Sequence, residues 1–512
     1  MKLVVTLSTA FAGVLLPITE STAQEFMGRY DASGQARAEN GFSVELQGDS
    51  GYFAIGGTKW SNGQVVYSSV AYVLRLGLDG HLTDAELVVT PCCATSSGWA
   101  NSSFQRSGGG IGMGGGQLDS LGRLSPVLYL FNATGALDTM YSYTQLPEDW
   151  AGRTGMQTPD GGYVITGETS ASGTSLDGFL LKVDSLGNLE WVQTYGLPNR
   201  TEYLTTVDLA PGNGYYLGGQ LDAGGGNYDP WLIRVDSLGM EDWQETYGTV
   251  HNDFPNAHVT STADGATVFA TSFTLNVDED QVLALVKVDP DGTTLWNKTY
   301  DGAQFNNALF AVKEVSPGGD LIAVGQSSLP DPLNGVLLRT TAQGDSLWLR
   351  YYHYADSLWT LGKGTLRDVM PTPDGGFIAV GTAYPSSNNP NDPPIYGQDT
   401  WVVKVDSLGC LEPGCHLITG LQSQVTTWRG ALTVAPNPAR DVARLAWELP
   451  EGLAGGAQVS VVSAAGHLVG TVPVTLAEKR CTLDVSGYPA GLYHVHLVVD
   501  GRWVSGGRMV VE

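Results

Sequence analysis

The twenty residues "DGFLLKVDSLGNLEWVQTYG" at 177–196 return at 229–248 as "DPWLIRVDSLGMEDWQETYG", 52 residues further on and identical at eleven positions. A chain that repeats itself at this period is a stack of small units, because one such unit cannot bury both of its faces alone. Each copy holds an apolar run ending in Lys or Arg, a "DSLG" turn, and a run carrying Trp and Tyr. Trp191, Trp243, Trp296 and Trp348 keep this register, each nine residues after Lys182, Arg234, Lys287 or Arg339 and four before Tyr195, Tyr247, Tyr300 or Tyr352. Upstream of each lies a second two-strand signal around a Gly-rich turn, as in "TPDGGYVITGE" (158–168), "APGNGYYLGGQ" (210–220), "SPGGDLIAVGQ" (316–326) and "TPDGGFIAVGT" (372–382). With a weaker copy at 262–271, an early one at 48–58 and an eroded one between 101 and 143, the count is seven units. Four short strands per unit of about 50 residues predict an all-β fold, a seven-bladed β-propeller.

The last unit is short of a strand: after "WVVKVDSLG" (401–409) no Trp/Tyr run follows. "FMGRY" at 26–30 sets Phe26 four residues before Tyr30, as Trp191 stands before Tyr195, so this segment is expected to complete the seventh blade. In an up-and-down blade the "PDGG" and "DSLG" turns share one face. The other face carries segments of varying length, rich in aromatics, Asn and Asp: 58–69, 221–230, 251–256, 351–364 and 383–399. Variable loops on a rigid scaffold are where binding sits, and this composition suits stacking on and hydrogen-bonding a sugar. Asp177, Asp229 and Asp399, with Asn334 at the same place, stand five residues before the basic residue of the third strand, which puts them at strand starts on that face. They are the candidate ligand-binding residues, for sugar hydroxyls or a calcium ion; capping of the loop backbone is the competing role.

With 52 acidic against 26 basic residues the formal charge is −26, which opposes binding to nucleic acid or anionic lipid. Lys2, the apolar run from Leu3 to Leu16 and the small residues 21–23 form an export-signal pattern with cleavage expected after Ala23; no later apolar run is long enough to span a membrane, so the mature protein is expected to have none. Export permits disulfides. Cys410 and Cys415 flank the Pro-Gly turn of "CLEPGC" and are expected to bond, while the pairing of Cys92, Cys93 and Cys481 stays open. There is no CxxC pair and no HExxH, so no metal site and no resident cofactor is expected apart from the calcium just named.

The repeat stops after residue 417. A linker, 418–430, leads to short alternating strands with Gly and Pro turns over 431–512, the pattern of a small immunoglobulin-like β-sandwich. Pro436, Asn437 and Pro438, the run "SAAGHLV" (463–469), and Gly491 and Tyr493 in "PAGLYHVHL" (489–497) resemble the C-terminal sorting domain of the type IX secretion system of Bacteroidetes. Arg508 is the only base in a final segment where that family often carries more. The resemblance implies passage through the periplasm, recognition by the outer-membrane secretion machinery, and release or attachment at the cell surface. The blades resemble propeller repeats found in secreted proteins of that phylum.

Catalytic motifs do not survive inspection. "GDSGY" (48–52) falls on the "PDGGY" turn of the other units, and "GIGMGG" (110–115) lacks the flanking strand and helix of a dinucleotide site and is expected to be a loop. His494 and His496 alternate on a tail strand and are expected at the surface. The function expected is a binding or adhesion module for polysaccharide or a surface protein; a glycan lyase or hydrolase on the same scaffold is the alternative.

Overall fold

The structure, a computed structural model, describes residues 25–512 except 33–37, 62–65, 91–92, 148, 171–174, 254–256, 277–279, 305, 316–317, 329–332, 355–362, 385–397, 412–414, 416–422, 427–430, 450–454 and 465–466. The segment 1–23, expected to be a signal peptide, and most of the 383–399 loop lie outside the described residues.

The described residues are almost entirely β. Sheet 1 is formed by Glu39–Leu46, Gly51–Ser61, Val66–Gly77 and Leu82–Leu87. Sheet 2 has two short inner pieces, Ala94–Ser96 and Ser103–Gln105, then Ile111–Leu118, Leu124–Phe131 and Leu137–Ser142. Sheets 3, 4, 5 and 6 begin with Trp150–Gln157, Glu202–Ala210, His258–Ser261 and Ala308–Val315, and each continues through three further antiparallel strands in chain order. Sheet 7 is Lys363–Pro371, Phe377–Tyr384 and Asp399–Val405, completed on its outer edge by Phe26–Tyr30. The first strands of these sheets touch one another in a closed cycle, sheet 7 returning to sheet 1, so the arrangement is propeller-like.

The repeated phrase is explained at the seams between sheets. The Tyr195 hydroxyl on the outer strand of sheet 3 donates to the Gly239 carbonyl, in the "DSLG" turn of sheet 4, at 2.7 Å. The same bond recurs from Tyr143 to Gly187, Tyr247 to Gly292, Tyr300 to Gly344, Tyr352 to Gly409 and Tyr30 to Gly80. The aromatic four residues earlier covers the same glycine: a Cβ at Gly239 would stand 2.7 Å from the Trp191 ring, and one at Gly80 2.5 Å from Phe26. Gly239 also has φ +75°, so the turn needs glycine twice over. Its Asp236 caps the hairpin by accepting from the Leu238 and Met240 amides.

A second lock lies within four of the sheets. The basic residue of the third strand, buried where it is Lys, pairs with the Asp at the first turn: Lys182 with Asp160, Lys287 with Asp264, Arg339 with Asp320 and Lys404 with Asp374. The closing strand keeps this register, since Phe26 lies opposite Lys404 as Trp191 lies opposite Lys182.

"GIGMGG" is not a loop. It is strand Ile111–Leu118 of sheet 2, buried along most of its length. Its glycines admit neighbours that a side chain would exclude: a Cβ on Gly114 would stand 2.4 Å from the Thr154 backbone of sheet 3, and one on Gly115 2.1 Å from the Ser96 carbonyl oxygen.

The tail packs two sheets over one core that includes Leu445, Trp447, Val461, Tyr493, Leu497 and Met509. Strand Ser423–Thr426 joins it to sheet 6, running parallel to Ser346–Tyr354 and meeting Arg502–Val511 at Trp503. The Cys410–Cys415 disulfide and Val498 pack with Trp503 at this seam. His496 is buried there and accepts the Trp503 indole N–H at 3.1 Å, so the surface assignment fails for it: this face of the strand turns inward under Trp503.

Candidate ligand-binding recess

Each first strand runs from the variable face toward the "PDGG" turn, and five of them carry a bulge at the same register. The extra residues are Phe42, Arg153, Thr205, Phe310 and Arg367. Each bulge sits beside a glycine of the second strand: Gly56, Gly167, Gly219, Gly325 or Gly381. A Cβ on any of these would stand 1.8–2.0 Å from a first-strand carbonyl oxygen. The glycine of "VITGE" and its counterparts therefore marks the bulge, and a bulge re-aims its side chain.

Between the two inner pieces of sheet 2, residues 97–102 cross the ring. The Trp99 amide donates to the Arg153 carbonyl and the Asn101 amide to that of Phe42, while the Asn101 carbonyl accepts from Thr154 Oγ1. His258 Nε2 donates to the Ala100 carbonyl at 2.9 Å, and Lys313 Nζ donates to Asn101 Oδ1 at 2.5 Å. One short segment is thus bonded to the first strands of sheets 1, 3, 5 and 6, and it stops the channel.

Trp99 lies at the level of the bulges. Its ring stacks near Phe42, with centroids 6.0 Å apart, and has the guanidiniums of Arg153 and Arg367 each 5.7 Å from its centroid. Arg367 also lies 4.1 Å over the Phe310 ring. Arg153 is neutralised by a two-pronged pair with Glu168, Nε to the carboxylate at 2.8 and 3.0 Å. Tyr384 favours the charged form of Arg367, which has no carboxylate partner among the described residues, and burial, the larger effect, lowers its pKa. Phe42, Trp99, Arg153 and Arg367 all stay partly accessible to solvent. A cavity of about 220 Å³ opens alongside, lined in part by Ser69, Ser96, Gln117 and Arg153.

Beyond the plug the channel is polar and tightly bonded. Asp368 accepts from Ser43 Oγ and the Val44 amide, Ser43 meets Ser103 at 2.6 Å, and Glu45 accepts from Ser103 and Gln105. Burial pushes Glu45 up to about 7 and also raises Asp208 and Asp368, with the Lys313 charge opposing all three. Burial first, and the Lys313 charge second, push His258 down to about 3, so it stays neutral.

The four strand-start residues occupy seams between strands. Asp399 pairs with Arg29 of the closing strand at 2.9 Å, and Asn334 Oδ1 lies 2.6 Å from His353 Nδ1 on the outer strand of its own sheet. Asp177 packs against Gly196 and raises Glu202 of the next sheet, which burial chiefly pushes up to about 7. Asp229 packs against Gly248, and burial, then the Asp253 charge, push it up to about 6. Each lies at the start of a third strand, and Asp177, Asn334 and Asp399 lie beside the first strand of the next sheet, not among the bulge residues. Trp99, Arg153 and Arg367 escaped the sequence reading because the repeat aligns the second to fourth strands and says little of the first; the strand-two glycines were the available signal.

In the tail, the Asn437 amide donates to the Arg508 carbonyl and its oxygen accepts from the Val510 amide. The segment after Pro438 continues this hold, with the Ala439 amide on the Val510 carbonyl. Gly491 and Tyr493 lie opposite Val511 and Met509, and the Tyr493 hydroxyl donates to the Pro489 carbonyl at 2.6 Å. The motif residues converge on the last strand.

Residues 433–512 match the family described as "Secretion system C-terminal sorting domain". The match supports a type IX sorting tail, and such a tail indicates export, to the medium or to the outer surface, and interaction with the type IX secretion machinery. No helix among the described residues is long and apolar enough to cross a membrane. No curated protein matches the chain. Among solved structures, a single-residue mutant of NanB sialidase from Streptococcus pneumoniae is similar at 10% identity, over 75% of this chain and 71% of that one, with a TM-score of 0.39. The polysaccharide lyase Uly1 is similar at 9%, over 77% and 94%, with 0.40, and Sqt1 from Chaetomium thermophilum at 10%, over 74% and 100%, with 0.39. Likenesses this distant carry nothing about activity.

Proposed function

We propose that this chain is an exported binding module: a seven-bladed β-propeller over residues 24–417, closed by its N-terminal strand, that takes an extracellular glycan on its variable face and is carried out of a Bacteroidetes cell by a sorting domain at 431–512. A signal peptide at 1–23, a linker at 418–430 and an immunoglobulin-like fold for the tail complete the proposal. One observation carries the functional part. Residues 97–102 bridge the first strands of four sheets, and we take Trp99 and Phe42, both partly accessible among the bulge residues, as the floor of a recess on that face. Aromatic faces in a concave polar setting bind sugar rings, whose C–H bonds lie against the π surface while hydroxyls reach the rim. The strand-start residues Asp177, Asp229, Asn334 and Asp399 are assigned to the seams instead, and no calcium is included in the proposal.

The test is a glycan array probed with the purified full chain and with Trp99→Ala. Binding that the variant loses, with unchanged far-UV circular dichroism, is the expected result. Release of reducing ends or of unsaturated products from a bound polysaccharide would replace a binding module by an enzyme. Binding that survives Trp99→Ala would move the site elsewhere.

A further inference from the structure

We infer that the recess selects a saccharide carrying a single carboxylate, held by Arg367 while its ring lies against Trp99. This rests on the glycan-binding reading and names the ligand class of that site.

The argument is one of charge balance. Arg153 and Arg367 flank the same indole, yet their surroundings differ: Glu168 neutralises Arg153, and no carboxylate among the described residues neutralises Arg367. A guanidinium set this deep costs desolvation energy, and aromatic faces recover only part of it. Phe310 and Trp99 supply those faces. A planar donor fork without a carboxylate is suited to receive one from a ligand in two-pronged geometry. One guanidinium with no carboxylate partner among the described residues accommodates one negative group.

The rest of the molecule argues against a polyanion. At −26 overall the chain repels a highly charged polymer, and screening over about 8 Å at physiological salt confines any attraction to the recess itself. The ligand that fits both facts is an uncharged glycan with a uronic acid at its end or at wide intervals. The flanking cavity, with Ser69 and Ser96 along its wall, offers hydroxyl groups for the neighbouring neutral sugar.

The test compares three disaccharides on the full chain by titration calorimetry: glucuronyl-glucose, its methyl ester, and cellobiose. The expected result is an acid bound about tenfold or more tightly than its ester, the scale of one charge-assisted hydrogen-bonded contact. Arg367→Gln should bring acid and ester within about twofold of each other, chiefly by weakening the acid. The acid-over-ester comparison needs only the parent protein, so it stands even if the variant does not fold. Equal binding of acid and ester overturns the carboxylate inference and leaves a neutral-glycan module. A preference that persists in Arg367→Gln overturns the role of Arg367. No binding of any of the three overturns the inference, and the array then decides the broader reading separately.

Discussion

The Tyr195 hydroxyl and the Gly239 carbonyl, 2.7 Å apart and on neighbouring sheets, are the reason one phrase recurs along this chain. Tyr195 is buried, so a phenylalanine there would strand the carbonyl without a donor. Tyr195→Phe is expected to cost about 1–2 kcal/mol in denaturant unfolding. Tyr30→Phe breaks the equivalent bond to Gly80 where the ring closes, and Phe26→Ala removes the ring that covers that glycine. The two together should lower the thermal midpoint more than Tyr195→Phe does, because the closing strand is short and anchored at one edge. An unchanged midpoint in the double variant would mean that the N-terminal strand does not fasten the ring.

The glycines of the second strands give a sharper contrast. A Cβ at Gly219 would stand 1.8 Å from the Tyr203 carbonyl oxygen, whereas one at Gly108 meets nothing within 4 Å. Gly219→Ala must push the bulge out of the first strand, and a loss of about 3 kcal/mol or more, or failure to accumulate, is expected. Gly108→Ala should stay within about 0.5 kcal/mol of the parent. Equal, small effects in urea unfolding would show that the bulge is not needed.

Legibility in the sequence followed the repetition. The outer strands announce themselves because Trp191, Tyr195, Lys182 and the "DSLG" turn are tied to partners at fixed offsets, and physical locks repeat when the seam repeats. Phe26 and Tyr30 were legible for the same reason, although they sit at the far end of the chain. The recess was not legible, because its residues share a backbone position and no chemistry: Phe42, Arg153, Thr205, Phe310 and Arg367 have nothing in common but the bulge. Residues 97–102 are an insertion into an eroded unit, and no other copy shows what they do. The Asp and Asn at the third-strand starts drew attention because they recur, and what recurs in this fold reports on seams.

Three buried carboxylates set the pH dependence of stability. Burial chiefly pushes Glu45 and Glu202 up to about 7 and Asp229 up to about 6. A carboxyl raised in the folded state binds its proton more tightly there than in the unfolded chain. Its contribution is therefore complete below the ordinary value near 4 and is lost as pH rises through 6 to 7. Asp160 and Asp264 run the other way: burial opposes them, but hydrogen bonds from Thr158, Thr262 and the paired lysines bring both down to about 2, so their contribution is lost as pH falls from about 4. The thermal midpoint should peak near pH 4, decline up to about pH 7 and level off above it. Glu202→Gln, an uncharged mimic of the protonated acid, should flatten the alkaline limb; a parent midpoint that climbs between pH 6 and 8.5 would contradict the assignment.

The last prediction concerns the address. Asn437 holds the final strand from both sides, donating to the Arg508 carbonyl and accepting from the Val510 amide, while Ala439 continues the contact. Removing the amide in Asn437→Ala leaves two backbone groups of an outer strand to water and is expected to cost about 1–2 kcal/mol in the tail. The core below, with Trp447, Val461 and Met509, keeps the domain folded. The tail would then be native in its centre and loosened along Arg508–Val511, which separates folding from recognition. If the secretion machinery reads this last strand, Asn437→Ala should hold folded protein in the periplasm of the native host, as deleting 431–512 should, while Thr433→Ala, which breaks only the exposed hydroxyl's bond to the Ala446 carbonyl, should not. Fractionation with a protease-protection assay decides it: normal surface delivery of Asn437→Ala would place the recognised surface elsewhere on the tail.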